Sequence, residues 1–520
     1  MMHQSSYIEN FNVQKGYEMT RNVLEYLERS ADRFPGKTAL EDDREKLTYA
    51  EYLNKAKAIG TYLLKHGLEG YNNKPVAVII DRSIRPVIAF MGVVYSGNFY
   101  VPIDYNLPAE RIRLIYDTLK PVAVIDGRSG SPKPVEGAIL FEDAVCGDID
   151  EDLLKKVRSE AIDTDPLYGM FTSGSTGVPK GVVICHRGVV DLVEAFADTF
   201  GFDAEMKHAN QAPFDFDVSV KDIFNAMRNG ASVVVVPRKL FSMPKQLLEF
   251  LTEHKADTLI WAVSALRIVS DFKALGGDIE KPRFRYIMFS GEVMPIKALN
   301  YWMEHVPEPM YVNLYGPTEI TCNCTYCIIE GKQDELKALP IGKPFVNSKV
   351  VLLDEKREKR VTKPGDIGEI CVGGSGLALG YWNNPEKTKE SFFQDPAVTE
   401  HPSLLYGTGD MAYYNEDGNL IFAARRDFQI KHMGHRIELG EIEVALNAIP
   451  FIDTSCCLYD EKRKKIVCFY QSESDDVKAI ARFLSDKLPK YMWPNIYKRY
   501  DRLPMNKNSK IDRVKLKEEM

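Results

Sequence analysis

The residues best suited to chemistry lie at 168–181, YGMFTSGSTGVPKG. An apolar run ends at Phe171, and Thr172, Ser173, Gly174, Ser175, Thr176 and Gly177 follow, closed by Pro179, Lys180 and Gly181. Glycine tolerates dihedral angles that strain other residues, so backbone here can approach a ligand closely. Hydroxyls and successive backbone N–H groups form a concave anion site, and Lys180 adds positive charge, a combination suited to a polyphosphate. The spacing is not that of the P-loop GxxxxGK[ST], because Gly174 and Gly177 are too close and the lysine follows a proline. A plain Gly/Ser turn has a similar composition, so the residues alone leave that reading open. Cys322, Cys324 and Cys327 in TCNCTYC invite a metal reading. On a strand the first two share one face and the third the other, and no second CxxC or HxxxH supplies further ligands, so no metal is expected there.

The elements that must position these groups follow a strand–helix rhythm. Helical periodicity runs through Val23, Leu24, Tyr26 and Leu27, then Tyr49, Tyr52, Leu53, Ala56, Ile59, Tyr62 and Leu63. The buried-strand run VAVII at 76–80, a helix through 88–94, and strands in SGNFYVPID and PVAVID indicate an α/β domain with a mainly parallel sheet. The rhythm repeats with the helix KDIFNAMRNG, the strand SVVVVP, the helix QLLEFLTEH, and strand-then-loop units at TLIWAV, RYIMFSGE and MYVNLYGPTE. In such sheets ligands sit beyond the carboxyl ends of the strands, so these loops are expected to share one site. From about residue 340, short strands with Gly/Asp turns read as a small antiparallel subdomain, and after Arg425 a separate α+β pattern begins.

Composition narrows the class. A chain of 520 residues exceeds one core, so about two to four folding units are expected. Hydrophobic content of 45% and charged content of 27% are ordinary for a globular protein, and a net charge of −7 favours neither nucleic acid nor an anionic membrane. The N-terminus lacks a signal-peptide core, no run of about 18 apolar residues is present, and nine scattered cysteines fit reduced thiols; a cytoplasmic location is expected.

Several segments then match a known family in order: GNFYVPIDYNLPAERI, YGMFTSGSTGVPKG, APFDFDVSVKDIF, NLYGPTE, GEICVGGSGLALGYWNNPEKT, YGTGD, RRDFQIKHMGHRIELGEIE and PMNKNSKIDR. On these the chain resembles the adenylate-forming (ANL) superfamily, which includes acyl-CoA synthetases, luciferases and adenylation domains of nonribosomal peptide synthetases. The DFQIK–GHRIEL stretch looks most like D-alanine:D-alanyl carrier protein ligase and amino-acid-activating domains. The resemblance implies a large N-terminal domain (1–426) of α/β subdomains plus a small β subdomain, and a small mobile α+β C-terminal domain (427–520).

It also implies a reaction: a carboxylate joins the α-phosphorus of ATP, pyrophosphate leaves, and the acyl group passes to a thiol. Anions meet anions in both steps, so cations and oriented donors carry the catalysis. By the resemblance, Thr172, Ser173, Gly174, Ser175, Thr176 and Lys180 hold the β- and γ-phosphates, and Tyr315 stacks near the adenine, flanked by Asn313, Leu314 and Gly316. Pro317 and Phe422 complete the nucleotide site. Thr318 bonds the α-phosphate, Glu319 binds Mg²⁺, a hard cation suited to oxygen ligands, and Asp410 and Arg425 meet the ribose. Lys510 matches the catalytic lysine bridging the carboxylate and α-phosphate. Asp427 matches the hinge, and the loop at Gly434 lines a thiol tunnel in the second arrangement. Two departures are local: Ala424 and Ser509 stand where the family has glycine.

The resemblance also bears on the acid. Amino-acid-activating members keep an aspartate at Asp217 to pair with the α-ammonium, which argues against the alternative, an acyl-CoA synthetase for a non-amino acid. Ser219 and Asp222 offer an S-x-x-D helix cap, leaving Asp217 free for that role. The side-chain pocket would include Val218, Lys221, Leu266, Met288, Ser290, Leu314, Cys322 and Asn323. Lys221 stands where apolar residues are common, and it either meets a substrate carboxylate, pairs with Asp217 or points to water. An acidic amino acid and a small neutral one, D-alanine included, both stay open. The chain ends seven residues after Arg513, so a phosphopantetheinylated carrier protein is expected in trans.

Overall fold

The computed structural model describes residues 19–130, 135–174, 177–277, 280–426, 429–505 and 511–520. Ser175, Thr176, Asp427 and Lys510 lie outside the described residues. Two large sheets organise the first part of the chain. The nine-stranded sheet runs, edge to edge, from Lys343–Pro344 through Thr325–Ile329, Met310–Tyr315, Tyr286–Ser290, Thr258–Ala262, Lys207–Asn210, Ser232–Val235 and Thr38–Glu41 to Lys46–Thr48. The seven-stranded sheet runs from Gly380–Tyr381 through Lys180–Cys185, Pro166–Thr172, Phe99–Asp104, Pro75–Ile80 and Ala123–Asp126 to Ile139–Leu140. The central pairings of both sheets are parallel, as the alternating sequence pattern predicts, and antiparallel pairs flank them except at Ile139–Leu140, which is a parallel edge. Pro75–Ile80 is buried at every position, which is why it reads as an unbroken apolar run. The helix Tyr49–Leu63 opens with a capping box of Thr48 and Glu51 and buries Tyr52, Ala56, Ile59 and Leu63 on one stripe.

One apolar cluster joins both sheets, with Val78 and Tyr100 from one and Val233 and Val312 from the other. A five-stranded antiparallel sheet follows, in which Leu404–Tyr414 pairs with both Gly368–Gly374 and Leu420–Arg425. The last part of the chain keeps its own core, with Ile437, Leu446, Cys468, Tyr470 and Ile480. It comprises the hairpin Gln429–His432/His435–Glu438, the helix Leu439–Asn447 and the three-stranded sheet Thr454–Asp460, Lys465–Gln471, Ile496–Tyr500.

The cysteine geometry differs from expectation. The strand begins only at Thr325, while Thr321 and Cys322 both take left-handed backbone, φ 58° and 74°. The turn, not strand alternation, therefore orients Cys322 and Cys324. No cluster of three metal-ligating side chains occurs among the described residues. Nor, among them, is any helix long and apolar enough to cross a membrane.

Candidate active site

The carboxyl ends of Pro166–Thr172, Tyr286–Ser290 and Met310–Tyr315 open into one cleft, closed on its far side by the hairpin tip and Tyr491. Of the residues singled out in the sequence, Thr172, Ser173, Asp217, Val218, Ser290, Gly316, Pro317, Thr318, Cys322, Asp410 and Arg425 line it. Gly316 is required by packing: a Cβ there would stand 2.6 Å from the Cys322 carbonyl oxygen. Asn313, Leu314, Tyr315, Glu319, Lys221, Met288 and Asn323 are buried behind this wall. Phe422 packs partly buried against the main core, and Leu266 is buried in a second core.

At one end, the Tyr315 hydroxyl donates to Asp410 Oδ2 (2.7 Å) and Arg425 Nη1 donates to Asp410 Oδ1 (2.7 Å). Lys431 Nζ sits 5.4 Å from the Tyr315 ring centroid in a cation–π contact. Burial lowers the Lys431 ammonium from its ordinary value although Asp410 pulls it back. This end combines an aromatic face, a carboxylate and cations, the groups that suit a nucleoside and its phosphate.

In the middle, Glu319 is fully buried. Burial alone would raise its pKa, but Arg436 and Lys180 outweigh that and hold the carboxyl at about 2. Arg436 Nη1 donates to Glu319 Oε2 (2.6 Å) and the Tyr381 hydroxyl to Oε1 (2.8 Å). A buried anionic oxygen pair fits a hard divalent cation once Arg436 withdraws. The loop at 172–181 links Pro166–Thr172 to the antiparallel strand Lys180–Cys185, so it is a hairpin loop and not a strand-to-helix crossover. Gly177 N donates to Gly174 O (3.0 Å), and Thr172 Oγ1 is buried without a partner among the described residues.

At the other end, Asp217 precedes the helix Val218–Asn229 without capping it. The S-x-x-D cap does not form either: Ser219 Oγ donates to the Phe216 carbonyl (2.7 Å), and Asp222 accepts from Asn210 Nδ2 (3.0 Å). Asp222 turns inward because His208 and Asn210 share its buried surroundings. Burial raises the Asp217 carboxyl, tempered first by the Thr318 hydroxyl and then by Lys221. Lys221 points neither to water nor into an ion pair: its Nζ donates to Asn323 Oδ1 (2.9 Å) and Ser290 Oγ (3.2 Å) at 0% exposure. Asp215, two residues before Asp217, also lines the cleft, with Oδ1 buried and unpartnered among the described residues; burial first and the neighbouring Asp104 charge second push it up to about 7.

In the C-terminal part the sequence singles out Gly434 but not Lys431, His435, Arg436 or Glu441. Lys431 and Arg436 face each other across the hairpin, whose turn residues Met433 and Gly434 have φ of 54° and 81°. The two-residue turn in KHMGHR carries that register; like charges directly opposite repel, and each here has its own acidic neighbour, Glu319 for Arg436 and Asp410 for Lys431. Gly434 N donates to Glu292 Oε1 (2.5 Å), and a Cβ there would meet Ala262 at 3.4 Å. His435 stacks on Tyr491 (centroids 3.5 Å) and burial lowers it to about 3, so it is neutral. Arg111 and Glu441 form a buried ion pair between the helix Ala109–Leu119 and the helix Leu439–Asn447; no local pattern joins residues so far apart.

Known proteins share this architecture. Bacitracin synthase 3 of Bacillus licheniformis is 33% identical over 99% of this chain and 8% of that protein. Tyrocidine synthase 1 of Brevibacillus parabrevis is 30% identical over 96% of this chain and 45% of that protein. The chain thus spans less than half the length of these curated relatives. Among solved structures, holo-PA1221, an NRPS protein containing adenylation and PCP domains, matches with a TM-score of 0.82 and 26% identity, over 96% of this chain and 84% of that one. IdnL1 matches with a TM-score of 0.78 and 28% identity, over 93% and 99% of the two chains. The family described as AMP-binding enzyme matches residues 27–382, and the chain belongs to that family.

Proposed function

We propose that this protein activates an amino acid as its adenylate at the expense of ATP, releases pyrophosphate, and passes the aminoacyl group to the phosphopantetheine thiol of a carrier protein. The observation that carries the amino-acid reading is Asp217: a half-buried carboxylate on the cleft wall, met by the Thr318 hydroxyl and with no ion pair among the described residues. Such a group is costly unless a cation arrives with the ligand, and an α-ammonium supplies one. Similarity to an adenylation–PCP protein supports the thiol acceptor.

In this reading Tyr315, Asp410 and Arg425 hold the nucleoside, with Asn313, Leu314, Gly316, Pro317 and Phe422 shaping its surroundings. Thr318 orients the α-phosphate beside Asp217, and Thr172, Ser173, Gly174 and Lys180 grip the departing phosphates. Mg²⁺ held by Glu319 neutralises phosphate charge during the displacement. Lys510 neutralises the same charge from the C-terminal side, and Asp427 is the pivot at a domain boundary near 426/427. The substrate side chain is acidic: Lys221 lies among the neutral partners Ser290 and Asn323, with Asn323 Nδ2 still unpartnered. A substrate carboxylate satisfies both the ammonium and that amide.

Amino-acid-dependent ATP–pyrophosphate exchange with twenty L-amino acids and D-alanine tests this. Exchange is expected with aspartate or glutamate and is expected to be nearly abolished in Lys510→Ala. Exchange with none of them would overturn the amino-acid reading; exchange with D-alanine alone would overturn the acidic one.

A further inference from the structure

Three reactants meet in one cleft, and two of them already have their walls. In the proposed reaction the nucleoside lies against Tyr315, Asp410 and Arg425, and the amino-acid side chain runs toward Lys221. A further wall of the same cleft is formed by Leu107, Arg111, Asp215, Phe216, His435 and Tyr491, and it leaves room for the acyl acceptor. Two polar atoms on this wall, Asp215 Oδ1 and His435 Nδ1, have no hydrogen-bond partner among the described residues. One comes from the segment before the helix Val218–Asn229, the other from the hairpin of the C-terminal part. Phe216, next to Asp215 in the chain, meets the His435 ring edge-on (centroids 4.6 Å). Asp215 stands two residues before Asp217, so their Cα atoms are no more than about 7 Å apart. Asp217 is assigned the α-ammonium, and the carbon under attack is bonded to the carbon that bears it.

We infer that Asp215 is the general base of the second half-reaction, taking the proton from the acceptor thiol as its sulfur attacks the aminoacyl adenylate. The inference rests on the proposed thiol acceptor. The S–H bond breaks, its proton passes to an Asp215 carboxylate oxygen, and the sulfur bonds to the acyl carbon. The bond from that carbon to the phosphate oxygen breaks, AMP leaves with the electron pair, and Asp215 returns its proton to water. Of the two unpartnered groups, only Asp215 is basic enough. Burial holds His435 at about 3, whereas Asp215 is at about 7, close to a thiol at roughly 8.5. Around Asp215 stand Asp104 at the end of the strand Phe99–Asp104, Arg111 on the helix Ala109–Leu119, and Arg238 after the strand Ser232–Val235. Its charge also reaches Arg82 and Tyr491. None of the cations forms an ion pair with it among the described residues: Arg111 is paired with Glu441, and Arg82 is engaged by Asn210 and backbone carbonyls. The Asp215 carboxylate is therefore able to take up a proton instead of being held ionised.

Rapid-mixing measurement of thioester formation tests this, with the full chain, ATP, Mg²⁺, an amino acid that supports exchange, and free pantetheine as the thiol. Asp215→Asn is expected to slow thioester formation about 100-fold more than it slows pyrophosphate exchange. Exchange in the variant also reports that it is folded. In the parent protein the rate is expected to rise with pH and level off above about 7. In the variant it is expected to climb about tenfold per pH unit until the thiol itself ionises near roughly 8.5. Thiophenol, a more acidic thiol that needs no base at neutral pH, is expected to bring the two proteins within about threefold of each other. A merely structural aspartate would slow both thiols alike. Equal loss with pantetheine and thiophenol, a variant profile that still levels off near 7, or thioester formation slowed no more than exchange, would overturn the assignment. Failure of the underlying reading looks different: the parent protein supports pyrophosphate exchange and acylates neither thiol, which overturns the thiol acceptor and with it any base for it.

Discussion

The two ends of the cleft treat their charges in opposite ways. At the loop end, Ser173 Oγ, Gly174 N, Lys180 Nζ and Glu319 each meet a group of the C-terminal part, Glu319 also meets Tyr381, and only Thr172 Oγ1 has no partner among the described residues. At the pocket end, half-buried Asp217 and buried Lys221 have no ion pair, and Asp215 Oδ1 and Asn323 Nδ2 no hydrogen-bond partner, among the described residues. Buried polar groups are ordinarily satisfied, so this contrast carries information. At the loop end the polar groups are met by the protein's own C-terminal part. At the pocket end no described charged side chain of the protein plays that part.

Four substitutions sharpen or break that contrast. The largest effect is expected from Asp217→Ala, which strands the substrate ammonium in a buried site: a loss of about 3–5 kcal/mol, or roughly a thousandfold in kcat/KM for the amino acid. Pyrophosphate exchange kinetics read this, and a loss under tenfold would remove Asp217 from the ammonium site. Lys221→Met comes next. It is expected to lower kcat/KM for an acidic amino acid about 10- to 100-fold and to raise it for a neutral one of similar size; an equal loss for both would mean a structural lysine.

Arg436→Ala removes the cation from Glu319 and loosens the hairpin. Thioester formation, followed by mass of the loaded carrier, is expected to slow about tenfold more than pyrophosphate exchange; the reverse order would place Arg436 in the first half-reaction. The smallest effect concerns Asp215, whose carboxyl rises from 3.8 to about 7. A carboxyl with a native value above its unfolded one binds more protons when folded, so stability falls as pH climbs from about 4 to about 7. Asp215→Asn removes that loss, and the variant is expected to be more stable at pH 8 by roughly 1–3 kcal/mol, with no gain near pH 4. Urea unfolding at both pH values checks it, and a pH-independent difference would show that Asp215 is not held protonated.

Much of the fold was legible because its elements are strongly patterned. The run PVAVII is buried throughout, and the stripe of Tyr52, Ala56 and Ile59 lies on one helix face. Local competition was harder to read. Ser219 and Asp222 look like a cap, yet the Phe216 carbonyl and Asn210 claim them, because that helix end packs against a strand that sequence spacing does not place. The cysteine faces were misjudged for a similar reason: two successive left-handed residues interrupt strand alternation before Thr325.

By itself the sequence determined the residue types, the α/β order and the family, because hydrophobic period and motif order are local properties carried along one chain. Only the tertiary structure decided which charges meet. That Lys221 lies among neutral partners, and that Glu438 and Glu441 reach Lys180 and Gly174, follows from packing between segments 69 to 267 residues apart. Electrostatic energy depends on distance and burial, and neither is a property of sequence neighbours.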